Sequence, residues 1–187
     1  VRIIAGDFRG RALASVGKGD QAAHLRPTTD RVRESLFNIL VSGRFDDPIT
    51  DARVLDLFAG TGALGLEAMS RGADQLCCVE MGSKSLSILR KNIEICGVNE
   101  RTQLKKMDAT RLPKCDTEPY SLIFLDPPYK KGLGEKALQS AVRQGWIAPD
   151  ALIIWEEGSD VSPPDGFRIL DQRKFGDTQA RFLYYAE

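Results

Sequence analysis

The sequence is poor in the residues that build metal centres, and it has no excess of charge of either sign. It contains one histidine, His24, and four cysteines, Cys77, Cys78, Cys96 and Cys115, with no C-x-x-C pair. A zinc site needs paired ligands at short spacing, so no metal is expected. Cys77 and Cys78 lie in an apolar run, as small buried residues do, and this cysteine usage predicts a reducing, cytoplasmic setting. No apolar run reaches the ~18 residues of a membrane span, so no membrane partner is expected. No signal-peptide pattern opens the sequence, and the start at Val1 suggests that a few residues precede it. There is no internal repeat and no low-complexity stretch. Twenty-six Lys and Arg balance twenty-six Asp and Glu, giving a net charge of zero. That argues against a uniformly basic nucleic-acid coat and against an acidic disordered tail.

What is present is ordinary globular material: 187 residues, 42% apolar and 28% charged. The length predicts about one domain, burying roughly 70% of its unfolded surface without disulfide staples. The zero charge is a cancellation. Residues 1–45 hold eight bases and four acids, a balance of +4, and the other 142 hold 18 bases and 22 acids, a balance of −4. The N-terminal segment is thus a candidate anion-facing surface, with a solvated charged face as the other reading.

Residues 15–29 read as a loop, and a second break spans 158–166 around Pro163-Pro164. Between these breaks strands and helices alternate. Arg53–Leu57 is a buried strand ending in a glycine loop, followed by a helix over 63–71. Gln75–Glu80 is the next strand, and Ser83–Cys96 a helix that stops at Gly97. Further strands are expected at 102–107, Tyr120–Leu125 and 151–155, with a helix over 133–144, and a closing hairpin at 167–172 and 181–186 turns at Gly176-Asp177. The pattern predicts an α/β fold, a doubly wound, mostly parallel seven-stranded sheet covered on both faces. In such sheets ligands bind beyond the carboxyl ends of the strands.

After the first strand comes Asp56-Leu57-Phe58-Ala59-Gly60-Thr61-Gly62-Ala63-Leu64-Gly65, a G-x-G-x-x-G between strand and helix. Its glycines allow close backbone approach, and the helix N-terminus offers free N–H groups. Glu80 ends the second strand twenty residues after Gly60, where an acid holds the hydroxyls of a ribose. A dinucleotide would bring its pyrophosphate towards Asp56, and the carboxylate repels it. S-adenosylmethionine carries an ammonium, a carboxylate and a sulfonium but no phosphate. Asp56 attracts its ammonium directly or through a water, and the loop N–H groups take its carboxylate. Asp108, ending the third strand, is placed to accept from an adenine amine.

Asp126-Pro127-Pro128-Tyr129 follows the apolar strand YSLIFL directly. Two prolines stiffen the loop and leave it showing mainly acceptors. Tyr129 adds a flat face. This is an acceptor-rich clamp for an –NH₂ on a planar ring. Such an amine is a poor nucleophile because its lone pair is delocalised. Hydrogen bonds to fixed acceptors favour a pyramidal nitrogen, and alignment with a sulfonium methyl supplies much of the rate.

At these residues the chain resembles class I, Rossmann-like methyltransferases that act on exocyclic amines, a group of DNA adenine-N6 and RNA guanine-N2 enzymes. Arg2-Ile3-Ile4-Ala5-Gly6, Arg9-Gly10-Arg11, the run from Arg26-Pro27-Thr28 to Glu34 and Leu36-Phe37-Asn38 narrow the resemblance to RsmD-type bacterial methyltransferases. Phe58-Ala59-Gly60 and the run Gly62 to Ala68 fit the same family, with Phe8 standing for a usual tryptophan and Thr61 for a usual serine. The resemblance runs from Arg2 to Thr178. It implies methyl transfer from S-adenosyl-L-methionine to a guanine N2 in small-subunit ribosomal RNA, with the RNA presented by an assembled or assembling subunit. It implies a catalytic set of Asp126, Pro127, Pro128 and Tyr129. It implies a cofactor site of Asp56, Phe58, Ala59, Gly60 and Gly62, with Glu80, Met81, Asp108 and Ala109 beside them. Arg26 and Thr28 border that pocket in a loop that can act as a lid.

Residues 1–45 are expected to be an RNA-binding extension, a small β-hairpin plus a helix, on a methyltransferase domain of residues 46–187. Arg9-Gly10-Arg11 reads as the hairpin turn. A helix from about Asp30 buries Val32, Leu36, Phe37 and Leu40, leaving Arg31 and Arg33 to reach phosphates with Arg2, Arg9 and Arg11. A salt bridge to Asp30 or Glu34 is the competing reading for each arginine. His24 reads as a plain exposed histidine. The chain is expected to be a monomer. A DNA adenine-N6 enzyme, a nucleotide-binding oxidoreductase and a non-catalytic RNA-binding assembly factor remain alternatives.

Overall fold

A computed structural model describes residues 1–16, 29–129 and 131–187. The chain enters through an irregular segment carrying one antiparallel bridge, Arg2 to Ala12. Ile3 donates to Arg11 O and Gly10 to Ile3 O, so the expected hairpin turn is present, with a single bridge in place of two strands. Helix α1, Asp30–Leu40, starts at Thr29, whose side chain accepts from Val32 N. Its buried stripe is Arg33, Leu36, Phe37 and Leu40, the i, i+3, i+4, i+7 spacing of one helix face. Val32, expected in that stripe, is only partly buried.

The remainder alternates as the apolar runs predict: β1 Arg53–Leu57, α2 Ala63–Ser70, β2 Gln75–Glu80, α3 Ser83–Cys96, β3 Thr102–Lys106, β4 Tyr120–Leu125, α4 Leu133–Arg143, β5 Ile147–Glu157, β6 Phe167–Phe175 and β7 Thr178–Tyr185. The seven strands form one sheet in the order β3-β2-β1-β4-β5-β7-β6. The first five are parallel, and β7 runs antiparallel between β5 and β6. The hairpin strands are longer than the sequence suggested, because their exposed polar residues carry no apolar signal beyond 172.

Alternate residues of each strand enter two cores. Val54, Cys78, Phe124 and Ile154 face one side with Leu66 of α2 and Leu89 of α3. Leu55, Cys77, Ile123 and Ile153 face the other with Leu138 of α4. Burial on both faces produces the continuous apolar runs of β1, β2 and β4. Ile3, Leu13, Leu36, Phe37 and Leu40 belong to the first core. The N-terminal extension is therefore seated on the sheet's own core, and the division near residue 45 marks a change of charge rather than a gap in packing. Among the described residues no helix is long and apolar enough to cross a membrane.

Candidate active site

Because β1 to β5 are parallel, the loops after Leu57, Glu80, Lys106, Leu125 and Glu157 share one edge of the sheet. The register sets Leu57 beside Val79 on one side and Leu125 on the other. The glycine loop thus lies between Glu80 and Asp126.

The loop turns through left-handed backbone at Phe58 (φ 59°), Gly60 and Gly62. Gly62 (φ 82°) holds a backbone conformation that favours glycine, and a Cβ there would lie 2.4 Å from Leu89 Cδ1 and push that side chain aside. Glu80 is fixed by three backbone donors: Gly60 N reaches Oε2 at 2.8 Å, and Met81 N and Gly82 N reach Oε1 at 3.1 and 2.9 Å. Its carboxylate stays half-buried at the strand end. Met81 beside it is 61% exposed, an apolar side chain held at the rim. Asp108 accepts from the backbone N and the hydroxyl of Thr110, at 2.9 and 2.7 Å. These bonds hold its carboxyl below the usual carboxylate range, so it is an ionised acceptor. Phe58 and Ala59 pack against opposite cores.

Three of the expected cofactor contacts change character. Asp56 is 1% exposed, and its Oδ2 accepts from Gly65 N at 3.1 Å, so it braces the first turn of α2 instead of lining the cleft openly. Burial pushes its carboxyl well above the ordinary range against the pull of the Gly65 bond, with Asp126 and Glu80 adding to the rise. Ala109 is buried in the second core, leaving its backbone as the group near the cleft. The loop amides are also less available than the motif suggests. Gly60 N is taken by Glu80, Gly62 N by Ala59 O and Gly65 N by Asp56. Arg26, Thr28, the lid reading and His24 lie outside the described residues.

Asp126 and Pro128 are half-buried and Pro127 is buried. The Tyr129 ring is held by two residues to which the sequence assigned no role. Its hydroxyl shares a 2.7 Å hydrogen bond with Thr178 at the start of β7. A Cβ on Gly158 would lie 2.6 Å from Tyr129 Cδ2, so Gly158 lies directly against the ring. Burial pushes the Tyr129 phenol up to about 12, keeping it neutral and making the ring a surface rather than a base.

The arginines divide. Arg2, Arg9, Arg11 and Arg31 are exposed. Arg11 also lies over the Phe8 ring at 5.0 Å and donates to Ile95 O. Arg33 is a correction to the expected RNA-contacting set. It is 0% exposed and pairs with Asp30 at 3.1 Å and Glu67 at 3.5 Å, and it donates to Arg2 O. Its helix position points at the core, and its guanidinium serves the fold. Glu67, unassigned by sequence, also binds Arg71 and accepts from Ile4 N and Ala5 N.

The strand order, with a glycine loop, a fixed acid after β2 and Asp-Pro-Pro-Tyr after β4 on one edge, defines a class I methyltransferase of Rossmann-like fold. Residues 1–184 match the family described as Conserved hypothetical protein 95, and the chain belongs to that family. It is 40% identical over 156 residues to the ribosomal RNA small subunit methyltransferase D of Escherichia coli K12, covering 83% of this chain and 74% of that protein. The Haemophilus influenzae protein of the same name is 34% identical over 181 residues, covering 94% and 89%. A putative methyltransferase structure from Escherichia coli superposes with a TM-score of 0.82 at 34% identity, covering 100% of this chain and 98% of that one. An RNA methyltransferase from Salinibacter ruber in complex with S-adenosyl-L-homocysteine shares the fold, with a TM-score of 0.65 at 13% identity over 86% and 94%. The RsmD-type resemblance is therefore borne out.

Proposed function

We propose that this chain transfers a methyl group from S-adenosyl-L-methionine to the exocyclic N2 of a guanine in small-subunit ribosomal RNA. The observation that carries the reading is the Asp126–Tyr129 loop, which leaves β4 beside the glycine loop of β1 with its aromatic ring held by Thr178 and Gly158. The relatives' names supply the RNA class.

The acids of the cleft fit the cofactor. Asp126 and Glu80 lie close enough to Asp56 to raise its cost of ionisation. Such a site disfavours a pyrophosphate and suits a ligand with ammonium and sulfonium charges. Glu80 would hold the ribose hydroxyls, Met81 the adenine face and Asp108 the adenine amine. When bound, the cofactor supplies an electrophilic methyl.

The rest is done by the chain. Tyr129 stacks on the guanine, which must be unpaired or extruded because its amine is otherwise engaged. Asp126 and the loop carbonyls accept from the amine and turn its lone pair towards the methyl. As the N–C bond forms and the S–C bond breaks, the nitrogen sheds a proton to Asp126 or to water. Arg2, Arg9, Arg11 and Arg31 hold phosphates, in a cytoplasmic monomer working on an assembled or assembling subunit.

The test incubates the protein with labelled S-adenosylmethionine and unmodified small subunits, naked ribosomal RNA or DNA, and identifies the methylated nucleoside by mass spectrometry. N2-methylguanosine in the RNA is the expected product. N6-methyladenine in DNA overturns the substrate, and no product from any of them favours a binding module. Asp126→Ala should lower kcat by about 100- to 1000-fold while RNA binding persists. Unchanged activity in that variant sinks the mechanism.

A further inference from the structure

Asn92 is 0% exposed on α3, yet it serves neither the core nor its own helix. Its Oδ1 accepts from Ala14 N at 2.7 Å, and its Nδ2 donates to Ala14 O at 3.0 Å and to Thr61 O at 2.8 Å. One side-chain amide thereby pairs with both backbone groups of Ala14, as a neighbouring strand would, and spends its second hydrogen on the glycine loop. Only a primary amide of this length offers one acceptor and two donors in that arrangement. Leu89, one turn earlier on the same face, touches the loop at Gly62. Among the described residues, no other hydrogen bond joins residues 1–16 to the loop of residues 58–62.

We propose that Asn92 is a positioning residue that couples the N-terminal segment to the cofactor loop, so that RNA and cofactor bind cooperatively. The inference rests on the functional reading above, in which Arg9 and Arg11 meet RNA while Gly60 and Gly62 meet the cofactor. Thr61, whose carbonyl Asn92 holds, lies between those two glycines. Fixing residues 1–16 on RNA restrains Ala14, and through Asn92 it restrains the Thr61 peptide. The ordering cost met by the first ligand is then not met again by the second. Linkage makes the effect reciprocal: cofactor must tighten RNA by the same factor that RNA tightens cofactor.

The test is calorimetric titration of the full chain with S-adenosylhomocysteine, which supports no turnover, alone and with small ribosomal subunits lacking the modification. The unsubstituted chain should bind S-adenosylhomocysteine about tenfold tighter when subunits are present. In Asn92→Ala and in Asn92→Asp, which keeps the shape but loses the donors, that ratio should fall to less than about twofold. A merely structural Asn92 would lower stability and both affinities together and leave the ratio untouched, so an undiminished ratio in either folded variant overturns the proposal. A ratio of one in the unsubstituted chain overturns it without any variant. In that chain S-adenosylhomocysteine should also slow hydrogen exchange at the Ala14 amide, and no slowing counts against the coupling. Methylation of subunits with a ratio of one sinks the coupling alone, whereas failure to methylate subunits sinks the functional reading.

Discussion

Glu80 and Arg33 are both charged side chains that their sequence setting assigns to a ligand, and the fold treats them differently. Glu80 stands at a strand end, where peptides just past β1 and β2 have left the ladder and their N–H groups are free to grip its carboxylate. It is anchored and still half-exposed. Arg33 stands on a helix, where direction is set by about 100° of rotation per residue. It lies two positions from Arg31, and that rotation carries Arg31 to solvent and Arg33 into the core. The same split runs through the two regions. Strand-end acids keep the places that their spacing predicts, while the basic extension spends one of its arginines on docking to the sheet.

The largest effect should come from breaking that docking. Arg33→Met removes a fully buried cation from Asp30 and Glu67. Glu67 keeps Arg71 and two backbone donors, so the cost falls at the low end for a broken buried pair, about 3 kcal/mol. That corresponds to roughly 6–12 °C in Tm for a chain of this size. Arg31→Met, on the exposed face, should stay within about 0.5 kcal/mol. Equal losses in thermal unfolding of the two variants would erase the distinction between the arginines.

The next largest effect is on RNA. Arg9 and Arg11 are exposed, so replacing both with Ala should leave Tm nearly unchanged. Affinity for small subunits should fall about tenfold or more, and the slope of log affinity against log salt should flatten by about 1.5–2. Arg11 already stacks on Phe8 and donates to Ile95 O, so its share should be the smaller. A salt slope equal to that of the unsubstituted chain would remove both from the interface.

Legibility followed the same physics. Strands β1, β2 and β4 were readable because burial on both faces writes apolar runs, and the edge on which the loops gather follows from parallel pairing. Glu80, Asp108 and Asp126 were readable because each is the acid that closes or follows a run. Asp56 was readable as a position but not as a state: spacing places it, and only the fold turns it under Gly65. Glu67, Asn92, Thr178 and Gly158 had no assigned role, although Glu67 and Thr178 fall in stretches that carry the family resemblance. A signal for Asn92 did exist, since it falls in the Leu89–Ile93–Cys96 stripe of α3, where a polar residue must find buried partners. Gly158 and Thr178 meet Tyr129 only through β5 and β7, a contact that local spacing does not encode.

Gly158→Ala sharpens the catalytic side of the comparison. The new methyl would press on a ring fixed at its far end by Thr178, so the ring must tilt. We expect a fall in kcat of about tenfold, because alignment supplies much of the rate. Gly158 follows β5 outside the two cores, so the change in Tm should be small. Steady-state kinetics would show whether the loss lies in kcat. A loss confined to KM would mean that the ring's position serves binding alone.

The smallest effect tests the contrast between an anchored acid and an enclosed one. Burial raises the Asp56 carboxyl well above its ordinary 3.8. Between that value and the raised one, the folded chain holds a proton that the unfolded chain has lost. Stability must therefore decline as pH rises through that window. In Asp56→Asn the side-chain amide is uncharged throughout, and its carbonyl can still accept from Gly65 N. In urea unfolding across a pH series, this variant should flatten the decline, gaining on the unsubstituted chain as pH rises. The cofactor should respond with the opposite sign. An ammonium near Asp56 favours the ionised form, so S-adenosylhomocysteine should bind tighter as pH rises, and Asp56→Asn should lose that dependence. Stability curves that stay parallel would show that Asp56 is no more costly to ionise in the fold than in the open chain.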